Sequence, residues 1–272
     1  GACYSGLNIY QPIASDKNAG THMYIAGNFS YNNVDGSPCS GGLTTDGEGI
    51  NLDTFDFSQG GGPAYTQQAV VENNISVSNG SSGVLIENNK TGSSAAPVYF
   101  KYNTTYGNLK ATNRSFCVGL GEIYAEAANN VTVTNNLEVT DAATGCQGDA
   151  IYAASVANSS GDTYQDNWLY SAAGNNMFSS SNSGFAFGTQ NVGTSPAFTS
   201  ASVPGAPSCS GTANVPGCMA TMISNFTPTV TAAKAYGYQL AGANVYDPLF
   251  PQWLCNVTLP SGLVTKGCQV GP

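Results

Sequence analysis

Three acidic residues recur at one place in a repeated five-residue element. Asp53 closes GINLD (Gly49 to Asp53), Glu87 closes GVLIE (Gly83 to Glu87) and Glu126 closes EIYAE (Glu122 to Glu126). If these elements are strands stacked in register at ~4.8 Å, neighbouring carboxylates stand near the ~5 Å separation of retaining glycosidases. The outer two then approach the wider inverting separation. Carboxylates this close raise one another's pKa, so the stack is a candidate for acid, base or nucleophile. It is equally a stack of Ca²⁺-binding oxygens. The plain alternative is three solvated acids, or a register slip that separates them.

Lys101 is one of only 7 basic residues and falls in register with Glu72. A lysine can abstract the proton next to a uronate carboxylate, with a cation stabilising the enolate-like state. The plain alternative is a cross-turn Lys101–Glu72 ion pair. A second acidic run, Asp46-Gly-Glu48-Gly-Ile-Asn-Leu-Asp53, is a candidate Ca²⁺ set in Asp46, Glu48 and Asp53, although Asp-Gly also serves a simple turn. His22 is the sole histidine; it is a substrate contact or base in one reading and a structural residue in the other. Tyr102 next to Lys101, with Tyr10, Tyr65, Tyr106 and Tyr124, suits stacking on sugar rings if exposed.

These residues need elements that repeat. YIAGN (Tyr24 to Asn28), VVENN (Val70 to Asn74), YFKYN (Tyr99 to Asn103), TVTNN (Thr132 to Asn136) and TYQDN (Thr163 to Asn167) all end on Asn, at spacings of 46, 29, 33 and 31, with a fainter copy at Gln190-Asn191. Ile25, Val71, Phe100, Val133 and Tyr164 share one position between small or polar neighbours, the period-two signature of a strand. GLNIY (Gly6 to Tyr10) and AIYAA (Ala150 to Ala154) join the acid-closed elements as a second strand type, so two types alternate with a period near 30. With no helical stretch between them, the pattern predicts an all-β, single-stranded right-handed parallel β-helix, a solenoid, over residues 1–195. Residues 196–272, rich in Pro, Gly and Ser and holding four cysteines, are expected to form a disulfide-stapled irregular cap or flap packing on the solenoid.

The Asn-Asn strand ends, the Gly-Ile-X-Leu-Asp element and the ~30-residue period resemble the right-handed β-helix proteins of the pectin-lyase-like superfamily. That resemblance covers roughly Gly6 to Asn191 and implies an asparagine ladder, in which side-chain amides bond to their neighbours above and below. The superfamily includes lyases, hydrolases, epimerases and non-enzymatic proteins, so it speaks for fold more than activity. Lyases resembling this fold pair a lysine with acidic calcium ligands. On this chain that pattern falls on Lys101 with Asp46, Glu48 and Asp53, without the dense Asp-Asp run those lyases show.

Composition bounds the rest. Only 8% of the 272 residues are charged, about a third of the usual share, and 33 are Gly. Such a chain does not make helical bundles. A net charge of −9 repels nucleic acid and anionic lipid, and no apolar run is long enough to insert in a membrane. Eight separated cysteines predict disulfides, with Cys117–Cys146 suggested by register and Cys3–Cys39, Cys209–Cys218 and Cys255–Cys268 by proximity among 105 pairings. Ten sequons, at Asn28, Asn74, Asn79, Asn89, Asn103, Asn113, Asn130, Asn158, Asn225 and Asn256, agree with a secreted glycoprotein. Three of them, Asn28, Asn74 and Asn103, are also ladder positions, and a buried amide cannot carry a glycan. The expected function is a secreted polysaccharide-active enzyme, a lyase slightly ahead of a glycoside hydrolase. The alternative is a non-catalytic extracellular glycoprotein that self-associates end to end.

Overall fold

The computed structural model describes residues 5–13, 20–34, 47–89, 95–110, 121–141, 148–154, 161–172, 174, 177–180, 186–203, 209 and 215–239. The chain passes repeatedly through three sheets in a fixed order. The first pass lays down β1 (Leu7–Tyr10), β2 (Thr21–Ala26) and β3 (Phe29–Tyr31); the second β4 (Ile50–Asp53), β5 (Gln68–Glu72) and β6 (Ile75–Val77). The third gives β7 (Val84–Asn89), β8 (Val98–Lys101) and β9 (Thr104–Tyr106), and the fourth β10 (Gly121–Ala128), β11 (Val131–Thr134) and β12 (Leu137–Thr140). The fifth gives β13 (Asp149–Ala154), β14 (Thr163–Gln165) and β15 (Trp168–Ser171), followed by β16 (Phe178–Ser180) and β17 (Asn191–Val192). The sheets run β1-β4-β7-β10-β13-β16, β2-β5-β8-β11-β14 and β3-β6-β9-β12-β15-β17, with every pairing in them parallel. This all-parallel arrangement is compatible with a β-helix solenoid.

The expected period-two faces are present. Ile25, Val71, Phe100, Val133 and Tyr164 stand in one register row and are buried in the main core with Leu52, Ile86 and Ala125 of the first sheet. Each such side chain contributes roughly 1.5–3 kcal/mol through burial. The pattern of two strand types is corrected to three. The third strand follows each repeated Asn at once, as FSY, ISV, TTY, LEVT and WLYS. It is so short and so close to the Asn that it reads as part of the turn.

The corner between second and third sheets is built the same way each time. Gly27, Asn73, Tyr102, Asn135 and Asp166 take positive φ, from 52° to 70°, and turn the chain one residue before the repeated Asn. The Asn then forms the ladder. The backbone N–H and Nδ2 of Asn28 both donate to Asn74 Oδ1, at 2.9 and 3.0 Å, and Asn74, Asn103 and Asn136 donate likewise to the next turn. Asn167 ends the row on Gln190 Oε1. Each amide from Asn74 to Asn167 also donates to a carbonyl of the preceding turn, such as Asn103 Nδ2 to Val71 O at 2.9 Å.

Beyond Pro196 the described chain lies on the outer face of the third sheet, and it is not wholly irregular. Helix α1 (Val215–Asn225) and a 3₁₀ turn (Thr231–Ala235) form there. Met222 and Phe226 pack with Phe198 on Ile75, Val77 and Tyr106, while Ala233 and Tyr236 cover Leu137 and Trp168. Tyr238 N–H donates to Thr104 Oγ1 at 2.9 Å and Gln239 N–H to Asn73 Oδ1 at 3.1 Å. A disulfide joins Cys209 to Cys218. Cys3, Cys39, Cys117, Cys146, Cys255 and Cys268 lie outside the described residues.

Candidate functional site

Register brings the three repeated acids together. Glu87 pairs with Glu126 across β7 and β10, Asp53 pairs with Tyr10 across β1 and β4, and the Leu52–Ile86 pair sets Asp53 beside Glu87. Because Leu52, Ile86 and Ala125 point into the core, the neighbouring acids point outward, where all three are half-buried. The row therefore runs Tyr10, Asp53, Glu87, Glu126 along the outer face of the first sheet, at the ~4.8 Å strand spacing. Tyr10 is 50% exposed. Gln11, Thr54, Asn88 and Ala127 follow with positive φ, so the row stands at the lip of a corner. Thr54 Oγ1 donates to Asp53 Oδ1, fixing that carboxylate.

Lys101 stands elsewhere, at the end of β8 on the second sheet. Its partner is Glu72, paired with it in register, with Nζ 4.0 Å from Oε2, and Glu72 is 3% exposed and accepts a hydrogen bond from the Tyr24 hydroxyl. The Tyr102 ring lies under the same ammonium, 5.9 Å from Nζ to the centroid, within cation–π range. The cross-turn ion pair is thus formed, and Lys101 and Asp53 belong to different sheets. The calcium set is not brought together either. Glu48 is fully buried and accepts from Ser5 Oγ at 2.9 Å. It precedes β4 whereas Asp53 closes it, and five residues of extended chain span on the order of 15 Å, too far for one ion. Asp46 lies outside the described residues. Among the described residues, no group of three or more His, Cys, Asp or Glu is placed to hold a metal ion.

His22 sits in β2 at a register irregularity between Thr21 and Met23, half-buried. Tyr65 packs edge-on against Phe55 at 5.0 Å in the core, Tyr106 lies under Phe198 and Phe226, and Tyr124 is buried, so of the tyrosines offered for sugar stacking Tyr10 and Tyr102 reach solvent.

No family model, curated protein or solved structure matches this chain.

The sequons divide. Asn74, Asn79, Asn89 and Asn103 are at most 1% exposed, with their amides bonded inside, so the folded chain offers no glycan acceptor there. Asn28, Asn130 and Asn225 are half-buried, and Asn113, Asn158 and Asn256 lie outside the described residues.

A second site was missed by reading the sequence. Five residues after Asn28, Asn74 and Asn103 stand Asn33, Asn79 and Asn108, which form a second amide row. Asn33 donates to Asn79 Oδ1 at 2.8 Å, and Asn79 to Asn108 Oδ1 at 2.8 Å. This row ends on an acid, as Asn108 donates its N–H to Glu122 Oε1 at 2.9 Å and its Nδ2 to Oε2 at 2.5 Å. By register Glu122 occupies the place of Gly6, Gly49 and Gly83 in earlier turns. A Cβ at Gly49 would lie 1.8 Å from Ser76 Oγ, which explains those glycines. On the inward row of the third sheet, Ser30, Ser76 and Thr105 are succeeded by Glu138. Burial pushes the Glu122 carboxyl up to about 8. Burial, then the Glu122 charge, pushes Glu138 well above the carboxylate range. The signal was available as columns of the repeat, Gly-Gly-Gly-Glu and Ser-Ser-Thr-Glu.

Proposed function

We propose that this chain is a secreted right-handed parallel β-helix protein of the pectin-lyase-like kind that hydrolyses a polysaccharide laid along the outer face of the first sheet. The observation that carries this reading is the outward row Asp53, Glu87, Glu126 in continuous register. Neighbours one strand apart suit acid and nucleophile of a retaining reaction, and Asp53 with Glu126, two strands apart, suit acid and base of an inverting one. Exposed Tyr10 at the end of the row offers a ring for a sugar to stack on. The right hand follows the general preference of parallel crossovers. Elimination is less well supported, because Lys101 is engaged by Glu72 on another sheet. The non-catalytic reading loses the dense glycan coat that favoured it, since Asn74, Asn79, Asn89 and Asn103 are interior. The Cys209–Cys218 bond and the remaining sequons support an extracellular setting.

The test is release of reducing ends from a panel of neutral and acidic polysaccharides. Glu87→Gln or Glu126→Gln should lower turnover about 10²–10⁴-fold with an unchanged melting temperature, while Lys101→Gln keeps activity. Formation of unsaturated uronate ends that Lys101→Gln abolishes would overturn hydrolysis in favour of elimination.

A further inference from the structure

The interior seam between the first and third sheets changes character from turn to turn. In the first three turns it holds Gly6 with Ser30, Gly49 with Ser76 and Gly83 with Thr105; in the fourth it holds Glu122 with Glu138, and in the fifth Ala150 with Leu169. A small polar lining thus gives way to two carboxylates and then to apolar core. Glu122 and Glu138 are both 0% exposed. Glu122 spends one lone pair of each oxygen on Asn108. Glu138 Oε1 and Oε2 have no hydrogen-bond partner, and neither has Thr105 Oγ1, although Thr105 is fully buried and pairs with Glu138 in the adjacent turn. Thr105 also faces Glu122's column, since a Cβ on Gly83, the register neighbour of Glu122, would lie 2.8 Å from Thr105 Cγ2.

We propose that Glu138, Glu122 and Thr105 bind one hard divalent cation of the Ca²⁺ class inside the coil. Two buried carboxylates cost several kcal/mol each unless compensated. The neighbouring ammonium, Lys110, is engaged by Asp141 at 2.6 Å, on the far side of Asn108 in the chain. Two carboxylates and a hydroxyl are hard oxygen donors, and a charge of +2 balances the pair. Ca²⁺ accepts six to eight oxygens in flexible geometry, which suits ligands held on strands, whereas Mg²⁺ demands a near-ideal octahedron. A fully buried ion of this kind is captured as the fourth turn closes, so its binding free energy is folding free energy. The site is independent of the outer acid row.

The chain is unfolded in guanidinium with EDTA, refolded with or without Ca²⁺, gel-filtered, and assayed for calcium by mass spectrometry and for melting temperature. We expect one Ca²⁺ per chain and a higher melting temperature in its presence. Thr105→Val should keep the strand signal in circular dichroism and lower occupancy about tenfold, Glu138→Gln should remove the ion and the calcium-dependent shift, and Glu87→Gln should keep both. Wild-type protein that refolds with no bound ion and an equal melting temperature overturns the site, as does an ion retained by both Thr105→Val and Glu138→Gln. If Glu138→Gln does not fold, the occupancy of Thr105→Val decides.

Discussion

Two rows of side-chain amides run along the coil, and they end differently. The row at the corner between second and third sheets passes through Asn28, Asn74, Asn103, Asn136 and Asn167 to the neutral amide Gln190. The row at the corner between third and first sheets passes through Asn33, Asn79 and Asn108 and stops on the carboxylate Glu122. A buried amide repeated in register satisfies itself at every turn, so it adds stability without adding function. Where the repeat substitutes a charge for the amide, the local cost rises, and that is where a ligand has something to offset. Position in the register, more than composition, separates scaffold from candidate site.

The sharpest way to break the first row is at its middle. Asn103→Ala strands the N–H and Nδ2 of Asn74 and the carbonyl of Val71 in the interior, and should cost about 3–5 kcal/mol in a urea titration. Gly49→Ala tests the second row, since its Cβ would meet Ser76 Oγ and the Gly83 carbonyl at 1.8 and 2.5 Å; a loss of about 1–3 kcal/mol is expected from overpacking. At the end of the first row Gln190→Ala should cost only about 1 kcal/mol, because Gln190 is half-buried and water can replace its oxygen. A cost equal to that of Asn103→Ala would show that the row's end matters as much as its middle. The smallest effect concerns pH. Burial, only partly offset by the Val131 N–H, pushes Asp162 up to about 6. A raised carboxyl favours the protonated folded state, so its contribution is full below about pH 4 and is lost as pH rises through about 6. Asp162→Asn, which stays neutral, should flatten the fall in urea midpoint between pH 4 and 7.

The strands of the first two sheets could be read from Ile25, Val71, Phe100 and their neighbours because a parallel coil repeats one inward position every turn. The first ladder was legible for the same reason. The third sheet was not, since strands of three or four residues give periodicity too little length to show. The outer acid row was found because its three members close similar elements. The pairing of Lys101 with Glu72 also followed from register, but its separation from Asp53 depended on knowing that a corner and a second sheet intervene. Glu122 and Glu138 escaped notice because each was read within its own strand instead of down its column, and the helix at Val215–Asn225 because Pro216 and Gly217 argue locally for a turn.

The amide rows also have a direction. Every Asn donates toward the later turn and accepts from the earlier one, so the side-chain dipoles align head to tail along the coil axis, like peptide groups in a helix. Their oxygen ends face the first turn and their N–H ends face the later ones. The second row therefore meets Glu122 with its positive pole, as an α-helix N-terminus meets an anion. A field built from uncharged side chains thus gives a chain with few charges a fixed electrical axis.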